Sequence, residues 1–441
     1  MKVALIFPNY AIREKFGEPS DPPLGIASIA AVLEKKAHPV GLIDGNAENL
    51  GLDEIRSRLA EMKPDVVGIS CNYSPLHHPT LQIAAMVKKA FGVPVIIGGN
   101  HSTALAEYML ERSDDIDFIV RGEGEVILPE LLEALQSNTP LTHVRGIAFR
   151  NGSQIVMTAQ APLIANLDDL PLPAYHLLPM DKYRRYNIIA SRGCPFDCSY
   201  CASDVIFRRK VRYRSPERVV KEISYLLGHY GEKHCWFSDD TFITNPKYTE
   251  ALLTELTKNN LTMPWSCLTR VDRVTKELLE KMKASGCSYI SYGIESGNQE
   301  MLNKMGKRIT VDEILRTLKV TREVGIKQYG FFMVGYPGED WKTIMDSYKL
   351  IYHAPLDGAA FNVVIPLPGT KLFDDLVRRK LLSIDEINWD HLFARTSQET
   401  YESYSAELAC RWSELSGPEL IEACVIGHRL PEIFRHIKGS P

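Results

Sequence analysis

The feature that most constrains this chain is a set of three cysteines within one short segment. Cys194, Cys198 and Cys201 lie in Ser191–Asp204, whose sequence is SRGCPFDCSYCASD. Three thiolates in this C-x3-C-x2-C spacing can bind three corners of an iron–sulfur cluster, whose usual ligands are cysteine thiolates. With no obvious fourth cysteine, one iron would keep an open position, as catalytic metals do. A structural zinc site, which usually takes C-x2-C pairs and a fourth ligand, and three unrelated cysteines are the alternatives.

The segment resembles the cluster loop of the radical S-adenosylmethionine (SAM) superfamily, in which an aromatic residue, here Tyr200, precedes the last cysteine. The resemblance implies a [4Fe–4S] cluster whose open iron is chelated by the amino and carboxylate groups of SAM. It implies that one electron from the cluster splits SAM into methionine and a 5′-deoxyadenosyl radical. A small-molecule substrate and an external one-electron reductant, such as a flavodoxin or ferredoxin, are then the expected partners.

The bulk properties are those of an ordinary globular enzyme. The 441 residues are enough for two or three domains, with 45% hydrophobic and 24% charged residues. The net charge of −4 gives no electrostatic argument for nucleic acid as a partner. No run of 18 apolar residues predicts a membrane span, and the start MKVALIFPNY lacks the regions of a signal peptide. Nine cysteines without a secretory leader argue against a disulfide framework, so the expected location is the cytoplasm.

The first 140 residues alternate short apolar runs with amphipathic segments, which predicts a doubly wound, Rossmann-like parallel sheet. The predicted strands are Val3–Phe7, Val40–Ile43, Val66–Ser70, Val93–Ile97 and Phe118–Val120. The predicted helices are Leu24–Lys36, Leu52–Glu61, Pro79–Ala90, Ser102–Glu111 and Val126–Gln136. Ligands of such sheets bind outside the carboxyl ends of the strands. Gly98, Gly99 and Gly122 lie at two of these ends, where a glycine lets the backbone approach a ligand.

Three segments of this region resemble the cobalamin-binding domain fused to many radical SAM enzymes: PPLGIASIAAVLE, GGNHST and RGEGE. The resemblance implies that Gly98, Gly99 and Gly122 lie against a bound cobalamin. The better-known signature D-x-H-x-x-G is missing, because no histidine occurs between Phe7 and Pro23. The cobalt would therefore be bound without a histidine from that loop. The alternative is a Rossmann-like domain that binds nothing or only docks a partner, since a glycine-rich loop alone is weak evidence.

The remaining chain is predicted to contain a linker, a second domain and a cap. Residues 141–185 should form a hairpin around Asn151-Gly152, the strongest short hairpin signal, and then a proline-rich linker. Residues 186–380 again alternate strands with helices, and the strand before the cysteines completes six βα units of a partial (β/α)6 barrel. Residues 381–441 have a helical pattern and are expected to lid the barrel or cover the substrate.

Active-site groups of parallel barrels lie at the carboxyl ends of the strands. Asp239 and Asp240 follow the second strand and are candidates to bind the SAM amino group, although the usual Gly-Gly-Glu is absent here. Arg270 ends the third strand, and its guanidinium is suited to the SAM carboxylate. Glu295 ends the fourth strand and is a candidate for the ribose hydroxyls, and Gly335 begins GYPGE, a candidate lining for adenine. The alternative for the charged residues is an exposed salt bridge.

The resemblance favours radical methylation of an unactivated carbon, in which one SAM methylates reduced cobalamin and another yields the radical that abstracts substrate hydrogen. Two alternatives stay open. One is radical dehydration, cyclisation or rearrangement, with or without cobalamin. The other is an iron–sulfur subunit that transfers electrons or binds a partner, which would not need Arg270 and the acids at the strand ends. The sequence does not identify the substrate.

Overall fold

The structure is a computed structural model that describes residues 1–9, 21–261, 263–392 and 403–437. The chain divides into two compact units. The first comprises Met1–Arg185 with Asp204–Arg208, and the second comprises Tyr186–Ser203 with the chain from Arg209 onward. The loop after the first strand, one of the predicted ligand-facing loops, lies mostly outside the described residues. No helix in the described ranges has the length and apolar character needed to cross a membrane.

The first unit is built on a sheet whose first five strands are parallel, which confirms the predicted Rossmann-like class. Its strands within the described residues are β1 Val3–Phe7, β2 Val40–Asp44, β3 Val66–Ser70, β4 Val95–Gly98, β5 Phe118–Val120, β6 Ile147–Asn151 and β7 Gln154–Met157. Their spatial order is β2-β1-β3-β4-β5-β6-β7. The α-helices of this unit's main segment are Leu24–Lys35, Gly45–Glu48, Leu52–Met62, His77–Phe91, Asn100–Ala104, Ala106–Arg112 and Gly124–Ser137.

Several boundaries in this unit differ from the sequence prediction by a few residues, and two of these differences have a local cause. Strand β4 begins at Val95 rather than Val93, because Pro94 has no N–H to donate to a ladder. The helix predicted over Ser102–Glu111 is two helices that meet at Leu105. Leu105 adopts φ −112° and ψ 27°, outside the α-helical values, so the chain turns there.

The hairpin after residue 141 extends the first sheet. Strand β6 pairs antiparallel with β5, and Phe118 faces Phe149 across the pair with ring centroids 6.2 Å apart. Strand β7 pairs with β6 and forms the outer edge. This pairing also covers the edge of β5, a strand of only three residues that would otherwise be an open edge of the sheet. The hairpin is therefore part of the first sheet rather than a connection between domains.

The second unit contains the predicted barrel strands. Its strands among the described residues, counted from the one that begins at the domain boundary, are β8 Arg185–Ile188, β9 Ser191–Arg192, β10 Arg212–Tyr213, β11 His234–Phe237, β12 Trp265–Thr269, β13 Cys287–Glu295, β14 Lys327–Val334 and β15 Gly358–Val363. The main sheet has the order β15-β14-β13-β12-β11-β8, and β11 to β15 are parallel neighbours. The remaining α-helices are Ser203–Phe207, Pro216–Tyr230, Pro246–Lys258, Lys276–Ala284, Gln299–Lys304, Val311–Val324, Trp341–His353, Lys371–Arg378, Tyr404–Ala409 and Gly417–Ile437.

The main sheet of this unit has two different faces. One face is fully buried and is formed by large apolar side chains such as Phe237, Trp265 and Phe361. The other face, which we call the open face, is partly exposed. Register places its residues in rows, with Trp236 beside Ser266 and Ser266 beside Tyr289. Further members of the open face are Ser291, Gly293, Tyr329, Phe331, Met333 and Asn362.

The C-terminal helix Gly417–Ile437 packs on the buried face. A Cβ on Gly427 would lie 2.4 Å from the ring of Phe361, so the helix backbone lies directly against β15. Tyr348 from the helix Trp341–His353 donates a hydrogen bond to the carbonyl of Ala423 at 2.7 Å. This helix therefore packs beside β15, and the expectation that the C-terminal part lids the barrel or covers the substrate stays a prediction. Residues 393–402 and 438–441 lie outside the described chain.

Candidate functional site

The three cysteines lie together in the loop that follows β9. Cys194 and Cys198 are partly exposed and Cys201 is exposed. Burial raises the pKa of Cys194, and the charges of Asp240 and Cys198 act in the same direction. No three His, Cys, Asp or Glu side chains converge on a single metal ion in the described part of the chain. A cubane cluster does not need such convergence, because each thiolate binds a different iron. Three neighbouring thiols therefore fit an iron–sulfur cluster, whose iron stabilises the thiolate form.

Three consecutive residues after β11 hold the segment that enters this loop. Asp239 accepts hydrogen bonds from the N–H of Ser191 at 2.5 Å and the N–H of Ala190 at 3.2 Å. Asp240 accepts one from the N–H of Gly193 at 2.9 Å, and the hydroxyl of Thr241 lies 3.5 Å from Cys194 Sγ.

Asp239 is 5% exposed, and burial raises its pKa to about 7 against the opposing effect of these hydrogen bonds. Both of its carboxylate oxygens are used inside the protein. The contacts give Asp239 the role of positioning the cysteine loop, whereas its predicted contact with the SAM amino group stays a prediction, as does that of Asp240.

Arg270 lies directly after β12 and is 4% exposed. Its Nε and Nη2 pair with Asp272 at 2.9 and 3.2 Å, and Nη2 also donates to the carbonyl of Lys307 at 2.8 Å. Its guanidinium carbon lies 3.8 Å from the ring centroid of Phe196, in the cysteine loop. The remaining nitrogen, Nη1, is buried and has no hydrogen-bond partner in the structure. A buried cationic donor without a partner is costly unless a ligand supplies one, so Arg270 fits an anionic group such as the SAM carboxylate.

Glu295 ends β13 and forms a buried ion pair with Lys307. Glu295 Oε1 lies 2.8 Å from Lys307 Nζ, and the side chains are 12% and 6% exposed. Lys307 Nζ also lies 3.5 Å from the hydroxyl of Tyr200, the aromatic residue before the last cysteine. Burial, followed by the charge of Glu295, raises the pKa of Tyr200 well above its ordinary value. A Cβ on Gly293 would lie 2.8 Å from both charged atoms, so only glycine leaves room for this pair on the open face.

The opposite side of the cysteine loop rests on the segment that contains Lys307. The N–H of Ser199 donates to the carbonyl of Met305 at 3.0 Å. The hydroxyl of Ser199 lies 2.7 Å from that of Tyr336, which follows β14. Gly306 has φ +70°, and a Cβ there would lie 3.1 Å from the carbonyl oxygen of Asp197. The loop is thus fixed from both sides before any ligand is considered.

Gly335 has a structural role in the described contacts. Its N–H donates to Glu339 at 2.5 Å, and its carbonyl accepts a hydrogen bond from the indole of Trp412 at 2.9 Å. With φ +82°, a Cβ on Gly335 would point at Ala409 and Leu420 of the C-terminal helices. These contacts do not involve a ligand, and the predicted adenine contact of Gly335 stays a prediction.

In the first unit, the predicted glycines lie at the carboxyl ends of β4 and β5. Gly99 has φ +125°, and a Cβ there would lie 2.6 Å from the carbonyl oxygen of Cys71. Gly122 has φ +132°. Gly98 has no such constraint, since a Cβ would lie at an ordinary 3.7 Å from Val120. The glycines are partly exposed, and the nearby Thr103 Oγ1 is buried without a hydrogen-bond partner in the structure. This glycine-lined edge fits a flat group that lies on the backbone and accepts or donates a hydrogen bond.

The histidine of the GGNHS loop is not directed at this edge. His101 Nε2 lies 2.9 Å from His77 Nδ1, and His101 Nδ1 lies 3.2 Å from the hydroxyl of Ser74. Both rings are buried, and burial lowers the pKa of His77 to about 4. Both ring nitrogens of His101 are engaged within the first unit, which agrees with a corrin site that takes no cobalt ligand from His101.

Sequence reasoning missed three residues of the second unit's site, namely Thr241, Lys307 and Tyr336. Lys307 lies in the short stretch MGKR between two helices, where a single lysine resembles any exposed charge. The available signal was Gly306, a glycine just past the helix Gln299–Lys304. Thr241 and Tyr336 directly follow residues that were predicted, so extending each strand end by one residue would have found them.

Two parts of the chain match known families. Residues 188–351 match the radical SAM superfamily, and residues 19–132 match the B12 binding domain. The chain is 33% identical over 398 residues to an uncharacterized methyltransferase of Pyrococcus horikoshii, covering 88% of this chain and 85% of the relative. The chain belongs to the radical SAM superfamily. The superfamily, the B12 binding domain and the enzyme class confirm the predictions from the sequence.

Further relatives of this radical SAM protein differ in the reactions that their names state. It is 30% identical over 395 residues to the anaerobic magnesium-protoporphyrin IX monomethyl ester cyclase of Cereibacter sphaeroides, covering 85% of this chain and 64% of the relative. Among solved structures, the radical SAM methyltransferase TsrM of Kitasatospora setae, with tryptophan and a SAM analog bound, superposes with a TM-score of 0.74. That match has 18% identity and covers 86% of this chain and 76% of TsrM, so it shows a shared fold.

Proposed function

We propose that this protein is a cobalamin-dependent radical SAM methyltransferase that methylates an unactivated carbon of a small molecule. The observation that carries the proposal is the arrangement around Arg270. Its unpartnered Nη1, the Glu295–Lys307 pair and the three-cysteine loop all belong to one network of contacts in the second unit. The B12 binding domain match and the methyltransferase relative support the choice of reaction.

The residues have separate roles in this proposal. When bound, the cluster and SAM supply a 5′-deoxyadenosyl radical, and cobalamin supplies the transferred methyl group. Cys194, Cys198 and Cys201 hold the cluster, while Asp239 fixes the backbone that leads to them. Arg270 binds the SAM carboxylate through Nη1, and Glu295 orients the ribose.

The open face of the second sheet is the proposed substrate side. Its rings, Trp236, Tyr289, Tyr329 and Phe331, exclude water, which protects a radical from side reactions. Asn362 Oδ1 is buried there without a hydrogen-bond partner in the structure, so it is placed to accept a bond from the substrate.

The protein needs an external source of single electrons, and we assign this role to a flavodoxin or ferredoxin. We also propose a cytoplasmic location, because the thiols and an oxygen-sensitive cluster need a reducing compartment.

The test is product analysis after anaerobic reconstitution with iron, sulfide and hydroxocobalamin. SAM labelled with a trideuterated methyl group is supplied with dithionite and a candidate substrate. The proposal expects 5′-deoxyadenosine, S-adenosylhomocysteine and a product that carries the label. Absence of 5′-deoxyadenosine from protein that holds a full cluster would overturn the radical SAM assignment.

The cyclase relatives favour one second candidate, a radical cyclisation without methyl transfer. The same experiment separates the two reactions. Cyclisation consumes the substrate and yields 5′-deoxyadenosine, but it forms neither S-adenosylhomocysteine nor a labelled product. An unlabelled product without S-adenosylhomocysteine would therefore replace methylation by cyclisation.

A further inference from the structure

The outer side of the cysteine loop carries a concentration of positive charge. Asp197, which precedes Cys198, lies 2.6 Å from Lys371 Nζ and 2.9 Å from Arg209 Nη1. The hydrogen bond from Lys371, followed by the charges of Arg209 and Arg308, lowers the pKa of Asp197. The side chains of Lys371 and Arg209 are 56% and 40% exposed. One carboxylate at the tip of the loop therefore lies among three cations that face solvent.

A fourth cation, Lys304, adjoins the same loop. Its carbonyl accepts a hydrogen bond at 3.2 Å from Tyr336, whose hydroxyl contacts Ser199 of the loop. The Lys304 side chain is 44% exposed and pairs with Glu300 at 3.0 Å. We call these four residues the loop cation surface: Arg209, Lys304, Arg308 and Lys371.

Acids near this surface cancel about half of its charge. Asp197 and Glu300 are paired with its cations and offset two of the four. On the helix Lys371–Arg378, Asp375 is paired with Arg378 and Arg379, and the exposed Asp374 offsets the remaining positive charge of those two arginines. The four cations therefore keep a local excess of two positive charges. The whole chain carries a net charge of −4, so this surface is a positively charged area on a protein that is negatively charged overall. Such a surface attracts a negatively charged protein and accelerates its association.

The surface lies directly over the backbone that bears Cys198. A Cβ on Gly306, between Lys304 and Arg308, would lie 3.1 Å from the carbonyl oxygen of Asp197 and 3.9 Å from the Cα of Cys198. A protein docked here would therefore be separated from a cysteine ligand by the thickness of one loop. Electron transfer weakens steeply with distance, so this is a suitable entry point for an electron.

We propose that the loop cation surface is the docking site of an acidic one-electron carrier protein of the flavodoxin type. The inference rests on the proposed function, because a donor is needed only if the cysteines hold a redox group. The reduced flavin hydroquinone of the carrier gives up one electron and one proton and becomes the semiquinone. The three cysteines would hold the iron–sulfur group that accepts this electron, and the proton passes to solvent.

The first test measures binding of oxidised flavodoxin to the anaerobic holoenzyme by biolayer interferometry. The double variant Lys304→Glu, Arg308→Glu leaves both ion pairs of Asp197 in place. The control, Lys281→Glu with Lys349→Glu, changes the net charge equally at exposed lysines that are also ion-paired. We expect the Kd to rise at least tenfold in the first variant at low salt, to be unchanged in the control, and the difference to shrink at high salt. Equal affinity in both variants overturns the docking site.

The second test compares two electron sources in SAM cleavage. With dithionite, both variants should form 5′-deoxyadenosine at the wild-type rate, because the small reductant needs no docking surface. With reduced flavodoxin, only Lys304→Glu, Arg308→Glu should slow, by at least fivefold. Wild-type rates with flavodoxin in that variant overturn the proposal. A wild-type protein that forms no 5′-deoxyadenosine with dithionite instead overturns the proposed function, and the binding measurement still reports on the surface.

Discussion

Glu295 and Lys307 form a charge pair whose atoms are 2.8 Å apart and almost completely removed from solvent. The backbone at Glu295 is strained, with φ +70° in a residue that is not glycine, and the pairing of β13 with β14 shifts register between Gly293 and Glu295. Strain of this kind persists only where surrounding contacts over-determine it, and it concentrates at functional sites. A bulge of this type changes the direction in which a side chain leaves the strand. Here it directs Glu295 toward Lys307 and the cysteine loop.

Loss of one partner of this pair should be more harmful than loss of both charges. Lys307→Met leaves the Glu295 carboxylate buried and unpaired, which typically costs about 3–5 kcal/mol. The double variant Lys307→Met, Glu295→Gln removes the unpaired charge and should recover much of that stability without recovering SAM affinity. Thermal unfolding and equilibrium dialysis with SAM measure the two effects. Single and double variants of equal stability would show that the unpaired Glu295 carboxylate carries no stability cost.

The three cysteines should be needed for iron and not for folding. In the triple variant with Cys194, Cys198 and Cys201 replaced by alanine, we expect an unchanged circular dichroism spectrum, less than a tenth of the wild-type iron after reconstitution, and no 5′-deoxyadenosine. The control replaces Cys235, Cys267 and Cys287 by serine one at a time, since these cysteines are buried and lie in strands. Each control should lose stability but keep its iron. Full iron content in the triple alanine variant would contradict the cluster assignment.

SAM binding should depend on the planar guanidinium geometry of Arg270 and not only on its positive charge. Arg270→Lys keeps the positive charge but loses the planar guanidinium, and with it both Nη1 and the contact with the Lys307 carbonyl. We expect SAM affinity to fall at least tenfold, which corresponds to about 1.4 kcal/mol. Arg273→Ala is the matched control, because its guanidinium also lies over Phe196, at 4.8 Å, but is 36% exposed. If both variants bind SAM like the wild type, Arg270 is only a structural residue.

The sequence was sufficient for the two sheets, because their strands are runs of apolar residues that leave little choice of structure. Val3–Phe7 is buried at every position and was predicted to the residue. The cysteine loop was equally clear, since a short spacing does not depend on tertiary contacts. The contacts that support the loop were not predictable. Lys307 approaches Glu295 only after β13 and the following helix have packed. No sequence periodicity indicates that both carboxylate oxygens of Asp239 accept hydrogen bonds from the backbone of residues 190 and 191.

The residue that lies against Gly335 was also not predictable from the sequence. The motif of Gly335, GYPGE, was correctly placed after β14, but a pattern of glycines does not show which partner comes close. The structure gives that partner as the C-terminal segment, through Trp412. The two residues are 77 positions apart in the sequence, so local reasoning does not reveal this contact.

The buried carboxyl of Glu339 should make stability depend on pH. Burial raises the pKa of Glu339 from 4.5 to about 8, against the opposing effect of the Gly335 N–H. A carboxyl with a higher pKa in the folded chain keeps a proton that the unfolded chain has already lost, so stability falls as pH rises from about 4.5 to about 8. Glu339→Gln cannot ionise and should gain stability relative to the wild type across that range. Denaturant midpoints measured from pH 5 to about 9 test this, with exposed Glu232→Gln as the control. A constant difference between Glu339→Gln and the wild type would contradict the raised pKa.

Cobalamin binding is best tested at Gly98, because the other glycines are required by the protein itself. A Cβ on Gly99 would lie 2.5 Å from Asn72 Oδ1, and its φ of +125° strains any other residue, so substitutions there should destabilise the first unit with or without a ligand. Gly98→Val places a β-branched side chain in a strand, where it is tolerated, with room beside Val120.

We therefore expect Gly98→Val to keep the wild-type melting temperature but to bind hydroxocobalamin at least tenfold more weakly, with Gly98→Ala between the two. Gel filtration and an absorbance spectrum after reconstitution measure the bound corrin. Stoichiometric cobalamin in Gly98→Val would show that cobalamin does not bind against this strand end. A wild-type protein that carries a cluster and cleaves SAM but never retains cobalamin would exclude methyl transfer from cobalt, and the cyclisation chemistry of the relatives would then become the leading function.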